Sequence, residues 1–374
     1  MFGEKFATRL NSFASKPEIF WKSGIPTLTP EKLIERAGTV NGLTNLDLNY
    51  PDHSENNLSE ILKIMNVNGL AINGFAMRYY TNPAFKLGAF TNPDKKIRQE
   101  AIDLTKKGID VARQSNSNLM TLWLGQDGFD YGFQADYKKL WQDEIDGIRE
   151  VALHDKECQI SIEYKPNEPR AYSLLSNLFS TLLAIKEVDL PNLGVTLDFA
   201  HVLYADEQPA FSAAMISKNS KILGLHLNDG YSKRDDGLMV GSVHQLATME
   251  LLYQVYKDGY DGVIYFDTFP DSTGLDPVKE CEANIGTVKK MLEVVKKLSG
   301  DNNPIHVDEK YVKKTVYKKI VAHGMLSESF LSTIIFALGS VLPKIKWPWI
   351  NFPWNSTAFT CEVVKINNTK KNLY

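Results

Sequence analysis

Residues 193–229 read LGVTLDFAHVLYADEQPAFSAAMISKNSKILGLHLND, and this stretch contains the pattern that decides the fold. Two short β-rich segments, Leu193–Val202 and Lys221–Asp229, lie on either side of a longer segment. Both β-rich segments run into polar, potentially ligating residues at their ends. Short strands that alternate with helical segments predict parallel strands joined by helical crossovers.

The same alternation extends from about residue 39 to residue 298. The helical period is clear after the helix-start signal Asn92-Pro93-Asp94, where apolar residues recur every three or four positions. A weaker β-rich segment near the N-terminus brings the number of predicted strands to eight. These strands are Glu18–Gly24, Thr39–Tyr50, Gly69–Tyr79, Asn118–Gly125, Gln159–Pro166, Leu193–Val202, Lys221–Asp229 and Gly262–Pro270.

Eight β/α units of this length predict an α/β fold, a (β/α)8 TIM barrel over residues 1–298, with a doubly wound open sheet as the competing architecture. No GxGxxG or GxxxxGK[ST] loop follows any strand, which disfavours a nucleotide-binding open sheet. Residues 299–374 differ in composition, because they lack arginine and crowd three of the six tryptophans into 347–354. We predict that they form a C-terminal extension, whose structure the pattern does not define.

The composition limits the class of partner. The net charge is −3, and residues 1–300 hold 32 Lys and Arg against 40 Asp and Glu. This acidic excess argues against a nucleic-acid partner and favours a small polar ligand. The three cysteines, an odd and sparse set, indicate reduced thiols and a cytoplasmic location. The longest charge-free apolar run, 329–343, is shorter than the roughly 20 residues of a membrane span, so we expect no membrane partner.

Ionisable residues stand at the ends of four consecutive predicted strands: Glu163, Asp198, His226 and Asp267. The carboxyl ends of barrel strands meet at one mouth, so these side chains are expected to converge on one point. Three carboxylates and one imidazole suit a hard divalent cation, with Mn²⁺ preferred over Mg²⁺ or Co²⁺. A second cation is expected to share Asp198.

The second cation would also use His201, one helical turn beyond Asp198, and the pair Asp235 and Asp236. Two such metals would hold a polyol and polarise its oxygens. Other polar residues at the same mouth are candidate functional groups. The candidate catalytic residues are Lys165, His53 and Asp235, and the candidate substrate contacts are Trp123, Lys165 and His201.

These motifs resemble those of the xylose isomerase-like TIM-barrel sugar isomerases, and most closely the L-rhamnose isomerase-like branch. The resemblance covers about residues 18–298. IEYKPNEPR is similar to the family's Glu-x-Lys-Pro metal strand and TLDFAH to its Asp-x-x-His motif. LHLNDGYSKRDDGLMVGS is similar to its His strand with an acidic loop, YFDTFP to its final Asp strand, and LWLGQDG to its tryptophan segment.

The resemblance implies a divalent-metal-dependent aldose–ketose isomerase, an intramolecular oxidoreductase acting on a monosaccharide. Hydrogen would move between C1 and C2 by a metal-assisted hydride shift or through an enediol, and the chain would form a homo-oligomer, a tetramer or a dimer. One departure affects the second metal. The family spaces two loop ligands as Asp-x-Asp, whereas this chain has Asp235-Asp236-Gly237, so either Asp235 acts in an altered geometry or the second site is weakened.

Three other functions remain open. A ketose 3-epimerase of the same superfamily uses a Glu on the final strand, where this chain has Asp267, and gives no role to His201 or Asp235. An endonuclease of the superfamily would need more than the seven histidines present, and a basic face. A non-catalytic carbohydrate-binding barrel has no reason to keep buried carboxylates, which are costly without a cation.

Overall fold

A computed structural model describes residues 2–21, 27–55, 57–133 and 135–298. Eight parallel strands close a barrel in the order β1, β2, β3, β4, β6, β8, β9, β10, and β10 pairs again with β1. The predicted (β/α)8 barrel is therefore confirmed. The strands are β1 (Phe6–Arg9), β2 (Asn45–Tyr50), β3 (Ala71–Met77), β4 (Leu119–Leu122), β5 (Gly128–Phe129), β6 (Gln159–Glu163), β7 (Tyr172–Ser173), β8 (Leu193–Asp198), β9 (Ile222–Leu227) and β10 (Ile264–Phe266).

Helices follow the barrel strands and cover their outer faces, as right-handed β/α units require. Two 3-10 helices, Leu10–Ala14 and Pro83–Leu87, follow β1 and β3. The α-helices are α1 (Pro17–Phe20), α2 (Pro30–Ala37), α3 (Leu58–Val67), α4 (Lys95–Gln114), α5 (Tyr137–His154), α6 (Leu178–Val188), α7 (Phe199–Tyr204), α8 (Pro209–Asn219), α9 (Gln245–Lys257), α10 (Pro270–Thr273) and α11 (Pro277–Leu298). No helix within the described residues is both long enough and apolar enough to cross a membrane.

The first strand is not where the sequence pattern predicted it. Glu18 lies in α1, residues 22–26 lie outside the described residues, and Phe6–Arg9 supplies the first strand. Its four residues include a threonine and an arginine, so they show no apolar alternation. Long-range pairing defines the strand instead: Phe6 is in register with Ile264, and its ring stacks on Phe266 at 5.8 Å.

The predicted strand Leu193–Val202 is also too long, because β8 ends at Asp198 and α7 begins at the next residue. The Asp198 side chain accepts a hydrogen bond from the backbone N–H of His201 at 3.0 Å and so caps α7. One carboxylate therefore ends a strand and starts a helix, and it brings His201 to the barrel mouth on the first turn of that helix.

Two short antiparallel strands, β5 and β7, form a separate sheet from the segments that follow β4 and β6. Phe129 of β5 stacks on Tyr172 of β7 at 5.0 Å. Beneath them, the Asp127 carboxylate accepts hydrogen bonds from the N–H groups of Ala89 and Thr91 at 2.9 and 2.8 Å. These contacts fix the loops after β3 and β4 against each other beside the barrel mouth.

The interior cysteines behave as the composition predicted. Cys158 and Cys281 are buried free thiols, and burial raises the pKa of Cys158 to about 12. Neither is a reactive thiolate at neutral pH. Cys361 and the whole predicted extension, 299–374, lie outside the described residues.

Candidate metal and sugar site

Four predicted ligands lie together at the carboxyl ends of four strands. Glu163 is the last residue of β6, Asp198 the last of β8, His226 lies one residue before the end of β9, and Asp267 directly follows β10. One ligand atom from each lies within 4.8 Å of the ligand atoms of the other three. Parallel pairing sets this convergence, since Asp198 and His226 are in register across β8 and β9.

The donor set fits a divalent cation. His226 Nδ1 lies 3.4 Å from Glu163 Oε1 and 3.9 Å from Asp198 Oδ2, yet it is buried and has no hydrogen-bond partner within the described chain. Buried polar atoms normally have a partner. A buried nitrogen that lies between two carboxylates and has no hydrogen-bond partner is expected of a metal ligand, because the ion itself is then its partner. The three carboxylates and one imidazole form the hard, oxygen-rich set that Mn²⁺, Mg²⁺ or Co²⁺ prefers.

The pKa values of these groups reflect burial and mutual charge. Burial raises the pKa of Asp198 to about 7. Burial also opposes ionisation of Glu163, but the neighbouring imidazoles His226 and His201 lower its pKa below the ordinary value. Burial would lower the pKa of His226, but Glu163 and Asp198 raise it to about 9. The carboxylates and imidazoles compensate one another's charge in the absence of an ion.

A second group of polar side chains adjoins this set. His201 Nδ1 lies 3.6 Å from Glu163 Oε1 and 3.9 Å from Asp198 Oδ1, and its Nε2 lies 3.2 Å from Asp235 Oδ2. Burial would lower the pKa of His201, but Asp198 and Asp235 raise it to about 10. Asp235 Oδ1 is buried without a hydrogen-bond partner in the described chain. Asp198 lies 3.9 Å from both His201 and His226, and its bridging role stays a prediction.

Asp236 lies outside both groups. Its carboxylate accepts hydrogen bonds from the Tyr231 N–H and from Arg234 Nε, each at 2.8 Å. The short loop that closes with the backbone pair Asp229 and Leu238 turns Asp235 inward and Asp236 back onto the loop. The structure therefore gives the acidic loop one carboxylate in the site, and the predicted metal role of Asp236 is not supported.

Lys165 lies beside Asp235 in a shared cavity of about 280 Å³. Its Nζ is 3.2 Å from Asp235 Oδ2 and 2.9 Å from Glu168 Oε2. Burial would lower the pKa of Lys165, but these two acids raise it, so the ammonium is a hydrogen-bond donor and not a base. Trp123 forms the adjacent wall, with the Lys165 ammonium 5.2 Å from its ring centroid.

His53 does not line this cavity, contrary to the predicted catalytic role. Its Nδ1 accepts the Asn49 backbone N–H at 3.0 Å, so the proton is on Nε2, which donates to Asn11 Oδ1 at 2.6 Å. Burial, with the nearby cations Arg78 and Arg9, lowers its pKa to about 3. Both ring nitrogens are therefore engaged in holding the β2 end, and the imidazole stays neutral at ordinary pH.

The sequence reasoning missed three residues of the site. Arg9 Nη1 lies 3.3 Å from Asp267 Oδ1, and Asn228 Nδ2 donates to both oxygens of Asp198, at 3.2 and 3.1 Å. Asp47 on β2 lines the cavity, with one oxygen hydrogen-bonded to Asn73 Nδ2 at 2.8 Å, and burial raises its pKa to about 7. Of these, only Asn228 had a signal in the sequence, because it stands two residues after His226, directly beyond β9.

Comparison with known proteins gives two sequence-family matches. Residues 35–298 match the family described as xylose isomerase-like TIM barrel, and residues 279–371 match a MaoC-like domain. The second match begins within α11 and extends past the described residues. It covers too little of the chain to assign a family to the whole, and the predicted boundary at residue 298 stays a prediction.

A curated relative, the xylose isomerase of Thermus thermophilus, is 26% identical over 223 residues. The match covers 58% of this chain and 58% of that relative, so the chain spans little more than half of the relative's length. The isomerase activity of that protein therefore does not transfer to this chain by similarity alone.

Solved structures share the barrel. A D-tagatose 3-epimerase-like protein superposes with a TM-score of 0.61 at 18% identity, covering 79% of this chain and 100% of that one. An L-ribulose 3-epimerase superposes with a TM-score of 0.63 at 14% identity, covering 81% and 100%. At these identities the likeness establishes the fold. Because the family match spans most of the chain and the barrel is closed, the chain belongs to the xylose isomerase-like TIM barrel family.

Proposed function

We propose that the protein is a divalent-metal-dependent sugar isomerase that interconverts an aldose and a ketose. The observation that carries this proposal is the convergence of Glu163, Asp198, His226 and Asp267 within 4.8 Å, three of which, Glu163, His226 and Asp267, line a small cavity. A cavity of about 280 Å³ is at the small end of ligand pockets, which suits a monosaccharide.

These four residues would hold the first cation, and His201 and Asp235 would hold a second one with Asp198. Bound there, a divalent cation supplies Lewis-acid polarisation of sugar oxygens. We infer that Mn²⁺ is the preferred ion. The cluster supports a metal site of this kind, and the relative named a xylose isomerase supports the reaction class.

The chain's own residues would bind the open sugar chain and stabilise charge. Lys165, protonated and held between Asp235 and Glu168, donates a hydrogen bond to the sugar oxygen that becomes negative as hydrogen moves between C1 and C2. Asp235 accepts from a neighbouring hydroxyl and keeps the ammonium aimed into the cavity. Trp123 excludes water from one side of the sugar by packing against its C–H face.

A ketose 3-epimerase is the second candidate. Its chemistry needs two carboxylates on opposite sides of one carbon, and Glu163 and Asp267 both line the cavity from different strands. We favour isomerisation because epimerisation leaves Lys165, His201 and Asp235 without a role, although they form a connected group next to the ligand set.

The test is direct. The full chain, stripped with a chelator and reloaded with Mn²⁺, is incubated with a panel of aldoses and ketoses, and the products are separated by chromatography. We expect at least one aldose–ketose interconversion, absent in the Asp198→Asn protein. A C3-epimerised ketose as the sole product would support the second candidate, and no conversion of any sugar would refute both.

A further inference from the structure

Arg78, which directly follows β3, borders the same cavity as the ligand set. Its guanidinium has no carboxylate within ion-pair distance in the described part of the chain, whereas Lys165 pairs with Asp235 and Glu168. Its buried Nε also has no hydrogen-bond partner there. A partly buried cation without an anion is costly, because its charge is poorly solvated and uncompensated.

A continuous aromatic wall connects Arg78 with Lys165. The Trp123 ring lies 5.2 Å from the Lys165 ammonium and 5.5 Å from the Tyr80 ring. The Arg78 guanidinium lies 5.0 Å from the Tyr80 ring centroid and donates a hydrogen bond to its hydroxyl. A sugar chain packed on this wall with its reacting end at Lys165 has its other end directed toward Arg78.

Arg9 is a second cation of the cavity and lies beside the ligand set. Its Nη1 contacts Asp267, and its guanidinium lies 4.8 Å from the Phe269 ring, so the remaining N–H groups are not committed to a carboxylate. Asp267 is also a candidate metal ligand, and an ion there would draw its charge away from Arg9. His53 lies close enough to both arginines for their charge to lower its pKa, so it stays neutral and adds no further positive charge.

The acids that line the cavity are already engaged. Glu163 and Asp267 belong to the ligand set, Asp235 and Glu168 contact Lys165, and Asp47 accepts a hydrogen bond from Asn73. The positive charge at Arg78 is therefore compensated by no cavity acid at ion-pair distance within the described residues. A bound anion would supply that compensation through charge-assisted hydrogen bonds.

We propose that the substrate is a sugar with a terminal anionic group, a carboxylate or a phosphate, which Arg78 binds at the end of the aromatic wall remote from Lys165. This rests on the proposed function, because it takes the reacting end of the sugar to lie at Lys165 and the metal ligands. A planar guanidinium fork fits either oxyanion, so both sources share the same recognition chemistry.

The experiment compares matched sugars on the Mn²⁺-loaded full chain. Each set contains a neutral hexose, its uronate and its 6-phosphate, in the gluco, galacto and manno series, and both turnover and calorimetric binding are measured. We expect the uronate or the phosphate of at least one set to bind about 10- to 100-fold more tightly than the neutral hexose, the range of one or two charge-assisted hydrogen bonds. Which member gains identifies the oxyanion.

Substitutions locate the effect. Arg78→Gln should remove most of the anionic preference, measured as the ratio of anionic to neutral sugar affinity, and Arg78→Lys should restore part of that ratio. Lys107→Gln is the matched control, because Lys107 is an exposed cation in the outer cavity that Arg78 also borders. Equal losses in the Arg78→Gln and Lys107→Gln proteins would overturn the proposal by indicating nonspecific surface charge.

If the arginine variants do not fold, the comparison of neutral and anionic sugars on the wild-type protein still tests the anion site. Conversion of neutral hexoses, without tighter binding of any matched uronate or 6-phosphate, would refute the anion site and leave the isomerase proposal standing. Arg78-dependent binding of an anionic sugar without conversion of any sugar would refute the isomerase proposal and support the anion site.

Discussion

Glu144, on α5, is fully buried, and neither of its carboxyl oxygens has a hydrogen-bond partner within the described residues. Burial, reinforced by the nearby Asp127 carboxylate, raises its pKa well above the ordinary 4.5. The folded protein therefore holds this side chain protonated, whereas the unfolded chain ionises it near pH 4.5. Folding is consequently coupled to proton uptake at pH values between the unfolded and the folded pKa.

The sign and size follow from this linkage. When a group's pKa is higher in the folded than in the unfolded state, the free energy of unfolding falls as pH rises from the unfolded to the folded pKa. The fall is about 1.4 kcal/mol per pH unit. Glu144→Met keeps an unbranched side chain and removes the ionisation. We expect the variant to gain about 2 kcal/mol relative to wild type between pH 5 and 6.5.

Urea unfolding followed by tryptophan fluorescence at pH 5, 6.5 and 8 measures the difference. Glu157→Gln is the matched control, because Glu157 is exposed on a loop and should leave the pH dependence unchanged. A constant stability difference between Glu144→Met and wild type across this range would show that the folded protein carries Glu144 ionised, and it would refute the reasoning.

Five further substitutions test the site itself. Asp198→Asn should abolish both metal binding, measured by elemental analysis after dialysis, and turnover, and a fully active variant would contradict the shared-ligand role. Asp235→Asn should lower the number of metal ions bound per chain. Asp236→Asn should not, because the Asp236 carboxylate accepts a hydrogen bond from the Tyr231 N–H. Equal losses of metal in the two variants would contradict the placement of Asp235 alone in the site. Lys165→Gln should reduce kcat at least about 100-fold with metal content retained, the loss expected for one donor to a developing oxyanion. His53→Asn should keep both limbs of the pH–rate profile, because both ring nitrogens are already bonded; loss of one limb would restore the predicted acid–base role.

The parts of the structure that could be predicted were those set by local periodicity. The strands that carry Glu163, Asp198 and His226 follow from alternation, and their meeting at one mouth follows from the rule for parallel barrel strands, although the predicted strand Leu193–Val202 extended past Asp198. The strand Phe6–Arg9 could not be found in this way, because four residues carry too little pattern and pairing with a distant strand defines it. Because this strand was not predicted, Arg9 at its end was not recognised as a residue of the site.

The direction of side chains within loops could not be predicted from the sequence either. Asp235 and Asp236 are adjacent and chemically identical, and only the backbone of the loop decides which carboxylate faces His201. His53 was a candidate catalytic residue because an imidazole titrates near neutrality and because it follows a predicted strand. Its environment, with a backbone donor on one nitrogen and an amide acceptor on the other, is a tertiary property that composition does not encode.

The contact between Arg9 and Asp267 joins residues that are 258 positions apart. It forms across the seam where β1 pairs with β10, so it cannot exist until both ends of the barrel have been synthesised and have met. Such distant contacts are slow to form, because the entropy of closing a long loop must be overcome first. The proposed metal site should therefore form late in folding, and the appearance of Mn²⁺ binding during refolding would report when the barrel closes.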